Sequence, residues 1–125
     1  MPIGAGLAKA ALAVKVDGVQ RDIYLPIEHD SKVEILTPKQ PEGLDIMRHT
    51  TTAQVLARAL KELYPGTKLA IGPTIDRGFY YDVDLEEGSI SEKDFKTIET
   101  KMIEIARGKH DFKMRDVSKA EALSY

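Results

Sequence analysis

Residues 48–85 constrain what this chain can fold into more than any other stretch. They read RHTTTAQVLARALKELYPGTKLAIGPTIDRGFYYDVDL. An apolar helical repeat, a proline stop and a period-2 run follow one another without a gap. Leu56, Ala59, Leu60 and Leu63 share one helical face at i, i+3, i+4 and i+7. Ala, Leu, Arg, Lys and Glu fill most other positions and favour helix. Pro65 ends the helix, because a proline pushes the residue before it, Tyr64, out of the α region. Residues 68–71 read as a short strand stopped by Gly72 and Pro73, and Gly78 opens the next. In residues 79–85, Phe79, Tyr81, Val83 and Leu85 point one way and Tyr80, Asp82 and Asp84 the other, the signature of a half-buried strand.

With 125 residues, the chain holds one ordinary domain or two very small ones. Its 42% hydrophobic and 30% charged content is that of a soluble globular protein. No run approaches the ~18 apolar residues of a membrane span. Residues 3–14 are small and apolar but lack a basic lead and a cleavage site, so no signal peptide is read there. The absence of cysteine excludes a disulfide framework and thiolate metal sites, and fits a cytoplasmic protein. A net charge of −2 excludes a broad basic surface, so any nucleic-acid contact has to be local.

Residues 3–12 are rich in Ala and Leu and read as a helix. Residues 13–16 and 19–24 flank Asp17 and Gly18, a strong two-residue hairpin signal. Residues 33–36 are a short apolar strand. The TPKQPEG stretch, residues 37–43, is the clearest boundary in the sequence. After an acidic turn at residues 86–90, Ser91 with Asp94 marks a helix start. Phe95, Ile98, Met102 and Ile105 are read as the core face of that helix, which ends at Gly108. Residues 112–117 alternate like a strand, and Ser118 with Glu121 forms a capping-box pattern.

The start of the central helix, together with ALKELYPGTKLAIGP and GFYYDVDL, resembles the second N-terminal domain of threonyl-tRNA synthetases. The segment GLAKAALAVKVDG, residues 6–18, resembles the TGS domain that precedes it, a ubiquitin-like β-grasp module. The TGS fold opens with two strands before its helix, and here Met1 stands where that helix begins, so the first module is expected to be truncated. The resemblance implies an α+β fold, with a truncated TGS module over residues 1–38 and the first part of an editing domain over residues 43–125. It implies a class II ligase that attaches threonine to its tRNA using ATP and hydrolyses mischarged seryl-tRNA. ATP, Mg and Zn are implied only for the catalytic core, whose motifs and zinc ligands have no counterpart here. The implied partners are tRNA for threonine and the rest of the synthetase; oligomeric state is left open.

The resemblance also names site residues. The editing domain carries two histidines one helical turn apart, facing one pocket, with a cysteine and a histidine much further along. His49 is the candidate for that pair. The fourth residue after it is Ala53, however, and counting back from AQVLARAL puts the paired positions at Thr50 and Gln54. Either the helix start carries one extra residue or the pair is replaced. The bland reading of His49 is a partly buried residue near a helix N-terminus, a poor place for a cation.

Gly72, Pro73, Tyr80 and Asp82 are candidates for tRNA or substrate contacts, by exposed backbone amides, stacking and hydrogen bonding. Turn chemistry alone is the better account of Gly72 and Pro73, and of Gly78 beyond them. Core packing accounts for Tyr81. Asp82 and Asp84 share a face but lack a third ligand, so no metal site is read. The lysines and arginine between Lys93 and Lys109 alternate with acids, as on a solvated face. His29 and His110 stand in polar loops with no evident chemistry. No phosphate-binding loop or nucleophile elbow occurs. The isolated chain is expected not to ligate or proofread. The rival reading is a non-catalytic TGS-containing module that binds tRNA or regulates.

Overall fold

The computed structural model describes residues 4–124, so Met1, Ile3 and the start of the first predicted helix lie outside the described residues. The fold is α+β. Helix α1 (Ala5–Ala10) buries none of its residues. Strands β1 (Ala13–Val16), β2 (Val19–Arg21) and β3 (Val33–Leu36) form an antiparallel sheet in the order β2-β1-β3. The hairpin predicted from Asp17 and Gly18 is present, with Val16 opposite Val19. Both turn residues have positive φ, 50° and 84°, which the two-residue turn matched to strand twist requires. The aspartate carboxylate also accepts the backbone N–H of Lys32 at 2.8 Å. Ala13, Val16 and Leu36 form the small core of this sheet.

The second half is built on a helical rod over residues 41–63. It comprises α2 (Pro41–Thr50), a π-turn (Thr51–Leu56) and α3 (Ala57–Leu63). The rod begins earlier than the sequence suggested. Pro41 takes the first helical position, where its missing N–H costs nothing. His49 therefore sits well inside the rod, and the N-terminal reading of it is corrected. In the π-turn the N–H of Ala57 donates to the carbonyl of Thr52, a loop one residue wider than an α-helical one. The hydroxyls of Thr51 and Thr52 donate to the carbonyls of Met47 and Arg48. The π-turn follows directly on the turn of α2 that carries His49.

Tyr64 ends the rod before Pro65, as its sequence requires. Two short ladders follow. Strands β4 (Lys68–Leu69) and β7 (Val83–Asp84) pair outside, and β5 (Thr74–Ile75) and β6 (Gly78–Phe79) pair inside. The bonds Ala70 N–H to Asp82 O and Tyr80 N–H to Pro73 O carry the pairing between them. Along residues 79–85, half-buried and exposed side chains alternate as predicted. A Cβ at Gly72 would lie 2.6 Å from Thr52 Cγ2 and 2.8 Å from the Tyr81 ring, so this glycine lets the hairpin close on the π-turn.

Helix α4 (Glu92–Arg107) starts at a Ser91–Asp94 capping box and ends at Gly108, as read from the sequence. It packs on α3 and the π-turn, and Ala57, Ala59, Leu60, Ile98 and Ile105 are buried among these elements. The inner hairpin lies against α2. Phe95 is corrected: it is 53% exposed, because only the Ile98 and Ile105 side of α4 reaches the rod. Residues 112–117 form no strand, because no neighbouring strand offers them a ladder. Helix α5 (Lys119–Ala122) is capped by Ser118, whose hydroxyl accepts the N–H of Glu121. Among the described residues, no helix is long and apolar enough to cross a membrane.

Candidate functional site

The first wall of the cleft is the rod. Thr50 at the end of α2, Gln54 and Val55 in the π-turn, and Arg58 at the start of α3 line one side of a cavity of about 660 Å³. The end of α4 (Ile105, Ala106) and the segment after it (residues 109–113) line the other side. Thr50 and Phe112 also line a second cavity, of about 540 Å³, between α2 and the loop after β2. Thr50 therefore stands on a ridge with a cleft on either side.

The rod and α4 are tied together by a chain of charges. Arg58 Nε donates to Glu62 Oε1 at 2.8 Å, and Lys101 Nζ bridges Glu62 at 3.3 Å and Glu104 at 3.2 Å. Arg58 and then Lys101 hold the Glu62 carboxyl below the usual carboxylate range. The same contacts, Glu104 first, hold the Lys101 ammonium above its usual range. At the other end of the interface, desolvation and then the nearby Asp94 carboxylate raise the Tyr64 phenol. The Asp94 carboxyl is lowered by the Ser91 N–H and hydroxyl, at 2.8 and 2.9 Å.

Those contacts leave other polar groups of the cleft free. Among the described residues, the side chains of Thr50, Gln54, Lys109, His110 and Lys113 have no hydrogen-bond or ion-pair partner. The cleft can thus offer a hydroxyl, an amide, an imidazole and two ammonium groups to a ligand. No group of three or more metal-ligating side chains occurs among the described residues.

The residues singled out in the sequence fall into two sets. Thr50 and Gln54 come together on the cleft wall. His49 is exposed and stands outside both cavities. Gly72, Pro73, Tyr80 and Asp82 belong to the hairpin and do not line the cleft: Gly72 is a packing glycine, Tyr80 is 65% exposed, and Asp82 pairs with Ile71 through its backbone. His110, read above as a polar-loop residue with no evident chemistry, also lines the cleft. Its ring packs on Gly108, where a Cβ would lie 2.6 Å from Nε2, and it reaches the cleft wall. The glycine ending α4 was the one local signal that could have pointed to it.

No family model matches the chain. The chain is 48% identical over 121 residues, 97% of its length, to the threonine–tRNA ligase of Flavobacterium johnsoniae. It spans 18% of the length of that protein. The resemblance carried by AIGP and GFYYD is therefore shown along nearly the whole chain, as similarity to one part of a threonyl-tRNA synthetase.

Proposed function

We propose that this chain serves as the N-terminal part of a threonyl-tRNA synthetase, a class II enzyme that attaches threonine to its tRNA using ATP and hydrolyses seryl-tRNA. Residues 1–38 correspond to its TGS module and residues 43–125 to the first part of its editing domain. The observation that carries this reading is the 48% identity extending over 97% of the chain.

In this reading the cleft beside Thr50 and Gln54 takes the aminoacylated 3′ end of the tRNA. Lys109 and Lys113 attract the phosphates locally, which suits a chain whose net charge is −2. The free hydroxyl and amide orient the ester end and a water, where positioning and general acid–base help would supply the rate. Tyr80, 65% exposed on the hairpin, offers a stacking face for a neighbouring base. His49 remains the helix histidine of the resemblance, on a face turned from the cleft. The chain alone binds this end without ligating or proofreading. ATP, Mg and Zn chemistry belongs to the catalytic core.

The test is a chimaera in which this chain replaces the matching region of the Flavobacterium johnsoniae ligase. It should charge tRNA with threonine and clear seryl-tRNA at rates near those of the parent. A folded chimaera that charges normally but leaves seryl-tRNA intact would remove the proofreading assignment.

A further inference from the structure

We propose that His110, and not His49, is the histidine that contacts the ligand of the cleft between the Thr50–Gln54 wall and the segment after α4. The inference rests on the reading of that cleft as the seat of an aminoacylated RNA end.

The geometry around His110 is built rather than incidental. Lys109, immediately before it, has φ +48°, a left-handed conformation that a side-chain-bearing residue adopts at a cost. That turn reverses the chain at the end of α4 and aims His110 back over Gly108. The ring lies so close to Gly108 that a Cβ there would sit 2.6 Å from Nε2. The absence of a side chain at residue 108 is thus what lets the imidazole occupy this place. Gly108 itself has helical φ and ψ of −65° and −10°, so its backbone does not require glycine. A side chain there would have to displace the ring.

The chemistry of the surroundings fits a ligand. Neither ring nitrogen of His110 has a hydrogen-bond or ion-pair partner among the described residues, so an imidazole with one donor and one acceptor is left open. Across the cleft, Gln54 and Thr50 present an unpaired amide and hydroxyl. Lys109 and Lys113 add positive charge at the same mouth, beside Asp111. A polar end with a phosphate behind it matches this set. His49 has none of these neighbours and stands outside the cleft wall.

The experiment uses the 125-residue chain and a trinucleotide, cytidine–cytidine–adenosine, carrying serine in amide linkage at its 3′ end. Histidine ring signals are followed by NMR during titration, and affinities are measured by calorimetry. The His110 ring signals should move. His110→Ala should weaken binding about tenfold, the loss of one hydrogen bond to a charged or strongly polar partner. His110→Gln should recover most of that loss. Gly108→Ala keeps the imidazole but displaces it, and should weaken binding as His110→Ala does, with unchanged helical circular dichroism. His49→Ala should bind like the wild type. Binding that His49→Ala weakens and His110→Ala leaves intact would overturn the assignment while leaving the RNA-end reading in place. No binding by the wild-type chain would overturn both.

Discussion

Gly43 lies directly against the backbone carbonyl of Thr37, so closely that a Cβ on Gly43 would collide with it. Both residues are buried. Around them Gln40 accepts the N–H and hydroxyl of Thr37 at 2.9 and 2.6 Å and donates to Ile35 O at 3.0 Å. Lys15 on β1 donates to Glu42 on α2 at 2.6 Å. The stretch that looks like a linker in the sequence is thus a packed joint between sheet and rod. Because the opposing atoms are backbone, Gly43→Ala should destabilise by about 1–3 kcal/mol, the usual cost of overpacking. A urea midpoint unchanged in Gly43→Ala would show that the joint yields freely.

Leu60 is 2% exposed and sits in the layer between the rod and α4. Leu60→Ala should cost about 2–5 kcal/mol, from lost transfer energy plus the cavity left behind. Phe95→Ala, by contrast, should change the melting temperature little, because Phe95 is 53% exposed. Equal losses from both substitutions would mean that α4 presents a different face to the rod.

Acid should weaken the start of α4. The Asp94 carboxyl is held below its usual range by the Ser91 N–H and hydroxyl, so folding favours its ionised form. The sign follows: its contribution is fully present above the unfolded value near pH ~4 and is lost as pH falls through the lowered folded value. Asp17, Glu42 and Glu62 are lowered as well and act in the same sense. Urea midpoints measured from neutral pH downwards should therefore fall below about pH 4. In Asp94→Asn the fall should be shallower from a lower starting point. An identical acid slope in wild type and Asp94→Asn would contradict the cap.

On the proofreading reading, the chain alone should not speed hydrolysis of seryl-tRNA for threonine. It contains no cysteine, and residues that act as a unit lose nearly all their rate when part is missing. Single-turnover deacylation should match the background rate, while weak binding should fade as salt rises. Hydrolysis by the wild type that vanishes in His49→Ala would make His49 catalytic.

The sequence by itself determined the elements whose signals are local. The Asp17–Gly18 turn, the stop at Tyr64 and Pro65, the alternation of residues 79–85 and the Ser91–Asp94 start of α4 depend on a few neighbouring residues. Backbone sterics and side-chain spacing dictate them before any distant contact forms. The resemblance to threonyl-tRNA synthetases was legible for the same reason, in one unbroken block. Tertiary structure alone decided three things. It extended the central helix back to Pro41 and placed a π-turn in its middle, since the hydrogen-bond register of a helix has no sequence period of its own. It turned Phe95 outward, because the side of α4 that is buried depends on where the rod lies. And it brought Thr50, Gln54 and His110 to one cleft while leaving His49 outside. Residues far apart in the chain meet only where packing puts them, and no spacing along the sequence encodes that distance.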